Sequence, residues 1–157
     1  MLNKKEALKA FIKAEEEKIK QLKISLERTQ QDARESPGSN VSHSDTMKFQ
    51  FSNLALGIQK RISEAQETLI LLKKIDLYET KGEIVTGGSL ISLKNTDTEE
   101  IITYLIVPDR GGESVEINGQ KVISISIATP LVYEIRGKKK GDEICFREKN
   151  FEVIGVQ

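Results

Sequence analysis

The sequence predicts an α+β protein: an N-terminal antiparallel coiled-coil hairpin over residues 1–75, followed by a small antiparallel β-sheet domain with one short helix over residues 76–157. Two matched apolar stripes, a Pro/Gly/Ser break between them and a later change of hydrophobic period carry that expectation. In the first stripe Ile12, Ile19, Leu26 and Ala33 recur every seven residues, with Leu8 and Leu22 on the neighbouring seam that Glu15 and Thr29 interrupt. In the second, Phe51, Ile58, Ala65 and Leu72 keep the same spacing, flanked by Met47, Leu54, Ile62, Leu69 and Ile75. Neither helix can bury its stripe alone. At 1.5 Å per residue, helices of about 26–30 residues reach roughly 40 Å, and the short connection with its tip near residues 36–44 turns the second back along the first.

Beyond residue 88 the period falls from 3.6 to 2. "SLISLKN", "EEIITYLIV", "ESVEI", "KVISISI", "DEICFRE" and "FEVIGV" are short Ile/Val-rich runs separated by Gly, Pro, Asn and Asp. They predict five or six strands. Asn118-Gly119 lies between two of them, and both central residues of a type I′ hairpin turn need positive φ. In "ATPLVYEIRGKKKGDE" Thr129 is placed to cap a helix, Pro130 to occupy its first position and Gly137 to end it about two turns later.

Composition narrows the function classes. Lys and Arg equal Asp and Glu at 24 each, so the formal charge is zero. Residues 1–75 carry 14 basic against 10 acidic side chains. That mild excess, in a chain only 5% aromatic, argues against direct sequence-specific nucleic-acid binding. No apolar run reaches the ~18–20 residues that span a bilayer, and the Lys-rich start is unlike a signal peptide, so a cytoplasmic protein without membrane association is expected. The single cysteine, Cys145, excludes an internal disulfide and reads as a small buried strand residue. His43 is the sole histidine, so no metal site or cofactor is expected. Lys138, Lys139 and Lys140 read either as a solvated turn or as a contact for an acidic partner.

A two-helix hairpin ahead of "GGSLISLKNTDTEEIITYLIV" and "ISIATPLVYEIRGKKKGDEICF…FEVIGV" resembles the GreA/GreB transcription elongation factor family. "TPL…RGKKKGDEI" is the most specific part of the resemblance. It implies an FKBP-like C-terminal domain, bacterial RNA polymerase as the partner, and a hairpin entering that enzyme's secondary channel. Thr129, Pro130 and Leu131 then become polymerase contacts. A carboxylate at the tip would be donated to the polymerase's two-metal site, so the chain itself would not be an enzyme. Family tips resemble Asp-x-x-Glu-Asn, whereas residues 38–44 here hold no acid before the lone Asp45. Channel occupancy with weak transcript cleavage is the resulting expectation. A local reading stands beside it: Ser42-His43-Ser44-Asp45 has capping-box spacing, with Ser42 as cap and Asp45 reaching back to a free backbone N–H. Two other function classes are a coiled-coil adaptor for another protein and a prolyl isomerase. The isomerase would need a pocket lined by aromatics, of which the strand-rich stretch beyond residue 88 holds only Tyr104, Tyr133, Phe146 and Phe151.

Overall fold

The structure is a computed structural model that describes residues 2–35, 42–75 and 84–157, with the side chains of 42–45 outside the described set. Its elements are α1 (Lys4–Glu35), α2 (Ser42–Ile75), β1 (Leu90–Asn95), β2 (Ile101–Val107), β3 (Ser114–Ile117), β4 (Gln120–Ser126), α3 (Pro130–Ile135), β5 (Glu143–Phe146) and β6 (Lys149–Val156). The fold class is therefore α+β, with two long helices preceding the sheet. Contacts divide the chain into two compact units, one of Met1–Ala14 with Ile70–Gln157 and the other of Glu15–Leu69.

In the unit of Glu15–Leu69 the helices meet along the predicted stripes. Leu22, Ile58 and Ile62 form a buried cluster with Leu26 packed on it, and Ile19 and Ala65 are also buried. Low numbers on α1 meet high numbers on α2, as an antiparallel pair requires. Both predicted interruptions lie inside the seam: Glu15 is buried with Lys18 Nζ 3.5 Å from its carboxylate, and Thr29 is buried with its hydroxyl donating to the Ser25 carbonyl. The expected flank is only partly covered. Met47 and Leu54 are 46% and 54% exposed.

In the other unit, the first turns of α1 and the last of α2 pack on one face of the sheet. Ala7, Leu8, Phe11, Leu72 and Ile75 form one core with Leu90, Leu105, Val107 and Val122. Helix α1 starts on Asn3, whose side-chain oxygen accepts from Lys5 N at 3.0 Å as an N-cap does. Gln157 ties this start to the end of the sheet: its Oε1 accepts from Lys4 N and its Nε2 donates to the Leu2 carbonyl. On the opposite face Val85, Ile91, Leu93, Ile106, Ile144 and Val153 pack against Leu131, Val132 and Ile135 of α3.

Six strands run in the order β3-β4-β2-β1-β6-β5. Four ladders are antiparallel as expected, but β2 and β4 pair in parallel, so the sheet is mixed. The cause lies in the link 108–113, which runs alongside β4. Gly112 N donates to the Ser124 carbonyl and Ser124 N to the Glu113 carbonyl, and a Cβ on Gly111 would lie 2.6 Å from Ile125 Cα. Only glycine allows that approach. The link carries β3 past β4 to the sheet edge, and the hairpin then returns β4 antiparallel to β3 and parallel to β2. Asn118 and Gly119 have φ of 51° and 76°, the type I′ signature. Cys145 does lie on a strand, β5, but it is exposed. Alternation gives the inner face to its neighbour Ile144, which is 7% exposed.

Replacing Ile58 with Asp is expected to cost at least ~3 kcal/mol, since it places an unpaired carboxylate in the Leu22–Ile62 cluster. Chemical denaturation followed by circular dichroism measures this, and an unchanged midpoint would show that the helices do not depend on that face.

Candidate partner-binding site

The most specific motif of the sequence folds into one continuous surface around α3. Six residues make too short a helix to hold itself, so its ends are fixed from outside. Thr129 is in extended conformation at the N-cap, but its hydroxyl makes no cap bond; it donates back to the Ser126 carbonyl at 2.8 Å. The Thr129 carbonyl accepts from Val132 N and Tyr133 N, which starts the helix, and Pro130 fills the first position, where no N–H is needed. At the other end Gly137 has φ of 78° and leads the chain away. Val85 then clamps the exit from both sides, its N–H donating to the Lys138 carbonyl and its carbonyl accepting from Gly137 N.

The lysine turn that follows is also built rather than loose. Lys139 N donates to the Asp142 carboxylate at 2.8 Å, and Asp142 N returns a bond to the Lys139 carbonyl. Gly141 N and the Asp142 carbonyl both bond Val153 of β6. Lys139 and Lys140 are exposed on this fixed turn, beside the exposed Arg136.

The three site residues named from sequence differ sharply here. Pro130 is exposed and Thr129 half-buried, but Leu131 is a core residue, 9% exposed among Val85, Ile106 and Val132. The 3.6-residue period of the helix turns positions 131, 132 and 135 inward together. The same turn points Tyr133 outward at 65% exposure, a position that its place among the aromatics of the sequence does not signal. Tyr104, Phe146 and Phe151 pack against the core beside α3. Burial, with Glu100 adding to it, raises the Tyr104 hydroxyl above its ordinary pKa, so it stays neutral. A groove of about 190 Å³ opens on the opposite sheet face, and Leu2, Ile101, Ser92, Thr103 and Gly155 contribute to its walls without an aromatic ring.

Asp45 is in the first turn of α2. Its side chain and that of His43 lie outside the described residues, as does the break at 36–41, so both tip readings remain expectations. Among the described residues no group of His, Cys, Asp and Glu is arranged to hold a metal, and no helix is long and apolar enough to cross a membrane.

Leu131→Asp is expected to lower the stability of the sheet unit by ~3 kcal/mol or more, whereas Tyr133→Ser stays within ~0.5 kcal/mol. Thermal melts of the two variants check this, and equal melts would contradict the burial of Leu131.

No protein-family model matches the chain. Among curated proteins it is similar to the transcription elongation factor GreA of Sinorhizobium medicae, 33% identical over 101 residues, covering 62% of this chain and 60% of that one. The GreA of Rickettsia canadensis is 30% identical over 104 residues, covering 64% and 60%. The chain thus spans about three-fifths of the length of these relatives. Among solved structures, the GreA factor homolog 1 (Gfh1) of Thermus thermophilus matches 95% of this chain and 96% of its own at 15% identity, with a TM-score of 0.38. Both of these curated relatives bear the name transcription elongation factor GreA.

Proposed function

We propose that this chain is a Gre-like factor that binds bacterial RNA polymerase, with residues 1–75 acting as the inserted hairpin and 76–157 as the docking domain. The sequence likeness to GreA, at 30–33% identity, carries the reading. The α3 surface supports it physically. Its backbone is held at both ends, so Pro130, Tyr133 and the cations of the 136–140 stretch are presented with little backbone ordering cost on binding. Thr129 and Leu131 contribute from beneath, the first by fixing the helix start and the second by anchoring it to the core. An exposed Tyr beside fixed cations suits a partner surface that is acidic and offers a pocket for one ring.

On this reading the chain catalyses nothing alone. A carboxylate at Asp45 would add one ligand to the polymerase's own metal chemistry. A single acid is a poor replacement for a pair, so the hairpin acts chiefly by occupying its channel and excluding other factors.

Binding to core polymerase tests the docking face: Tyr133→Ser should weaken affinity at least ~10-fold with unchanged folding. Equal affinity would remove this face from the interface, and a wild type that does not bind would end the polymerase reading. For the tip, Asp45→Asn should leave affinity intact and abolish whatever weak cleavage of a backtracked transcript the wild type stimulates. Vigorous cleavage by the wild type would contradict occupancy as the main effect.

A further inference from the structure

On the sheet face opposite α3, the groove of about 190 Å³ has aliphatic walls from Leu2, Leu90 and Ile154, joined by the exposed Ile101. Ser92 and Thr103 are partners in the β1–β2 ladder, and their hydroxyl oxygens lie 3.0 Å apart. Thr103 is only 7% exposed. The pair holds two hydroxyl protons and the bond between them uses one, because neither side chain makes another hydrogen bond among the described residues. One O–H is left for an acceptor in the groove that both residues line. Beside Ser92 in the β1–β6 register stands Gly155, in the interior of β6. Its φ is not positive, so the register shift between Ser92 and Leu93 does not require glycine, and an added Cβ would meet nothing closer than Ser92 Cβ at 3.8 Å. Glycine inside a strand gives up packing, and it marks places where the ladder bulges or a ligand comes close. Here its effect is to leave the groove open.

We propose that this groove binds a small uncharged molecule with a branched aliphatic body and a carbonyl oxygen, the body lying against the aliphatic walls and the oxygen accepting from the Ser92/Thr103 pair. Each part of that description follows from the lining. No Lys, Arg, His, Asp or Glu side chain contributes to it among the described residues, so a phosphate or carboxylate would lose water without gaining an opposite charge. The volume is below the ~300–1,000 Å³ of sites for drug-sized ligands, which limits the occupant to a handful of heavy atoms. Gln120 is exposed at the edge of the groove and offers an amide to one further polar group of the ligand. The site lies on the face away from α3 and stands whether or not the polymerase reading does.

Isovaleramide, whose branched skeleton ends in an uncharged carboxamide, is the probe, titrated into the full chain and followed by amide NMR shifts. Saturable shifts centred on Ser92, Thr103 and Gly155 are expected, and isovalerate, the same skeleton with a charged carboxylate, should bind at least ~10-fold more weakly. Gly155→Val fills the groove from a strand position that favours valine, so it should melt no lower than wild type and bind the amide at least ~10-fold more weakly. Ser92→Ala/Thr103→Val removes both hydroxyls together and leaves no buried group unpaired. It should melt close to wild type and lose at least ~10-fold in binding, and it decides the matter should Gly155→Val fail to fold. No saturable shift in the wild type, wild-type affinity in a folded variant, or equal binding of isovalerate overturns the proposal. Binding of N-acetyl-leucine methylamide at least ~10-fold tighter than isovaleramide overturns a free small molecule in favour of a leucine side chain and carbonyl from a partner protein.

Discussion

The sheet unit depends on β1 having to be buried from both sides. Its residues alternate between two cores: Leu90 meets Ala7, Leu8 and Phe11 of α1, while Ile91 and Leu93 meet α3 and the strands beneath it. All three are at most 3% exposed, and each such burial is worth about 1.5–3 kcal/mol relative to exposure. A strand of this kind cannot stand at the edge of a two-layer fold. It needs a helical layer on each face, and the chain provides them from distant parts of the sequence, the hairpin's base before the sheet and α3 within it. The Gln157 amide, bonded to both Leu2 and Lys4, fixes the first layer to the last strand.

The same demand explains how a six-residue helix becomes a dependable surface. Leu131, Val132 and Ile135 are held by the core on β1 and β2, so α3 has no freedom to rotate. Whatever lies on its other side is therefore fixed too. Tyr133 is exposed because Leu131, Val132 and Ile135 take the inner side of the helix, and the Val85 clamp and the Asp142 turn extend that fixity to the backbone of the lysine turn. Stability and presentation are here one arrangement.

How much of this the sequence discloses follows from how local each cause is. The Asn118-Gly119 turn, the Pro130 start and the Gly137 stop are decided by the φ preferences of the residues themselves, and all three are where the pattern places them. The turn joining β5 to β6 is equally tight, with φ of 51° and 62°, but Arg147 and Glu148 adopt it without glycine and give no such signal; the Arg147 guanidinium lies 5.3 Å from the Phe146 ring centroid instead. The parallel pairing of β2 with β4 depends on where a six-residue link travels, which alternation cannot express. Cys145 reads as buried from its run but is exposed, because only one of two adjacent strand residues can face the core and Ile144 takes that side; the facing element settles which of the two it is.

The hairpin shows what a heptad pattern specifies and what it leaves open. Spacing by seven places Ile58, Ala65 and Leu72 on one side of α2, and burial of each follows whatever α1 offers opposite. Where α1 supplies Leu22 and Leu26, a closed cluster forms. Met47 and Leu54, nearer the start of α2, stay largely in water. A heptad stripe on one helix thus fixes which side faces the partner, while the depth of burial follows from what the partner helix places opposite each position.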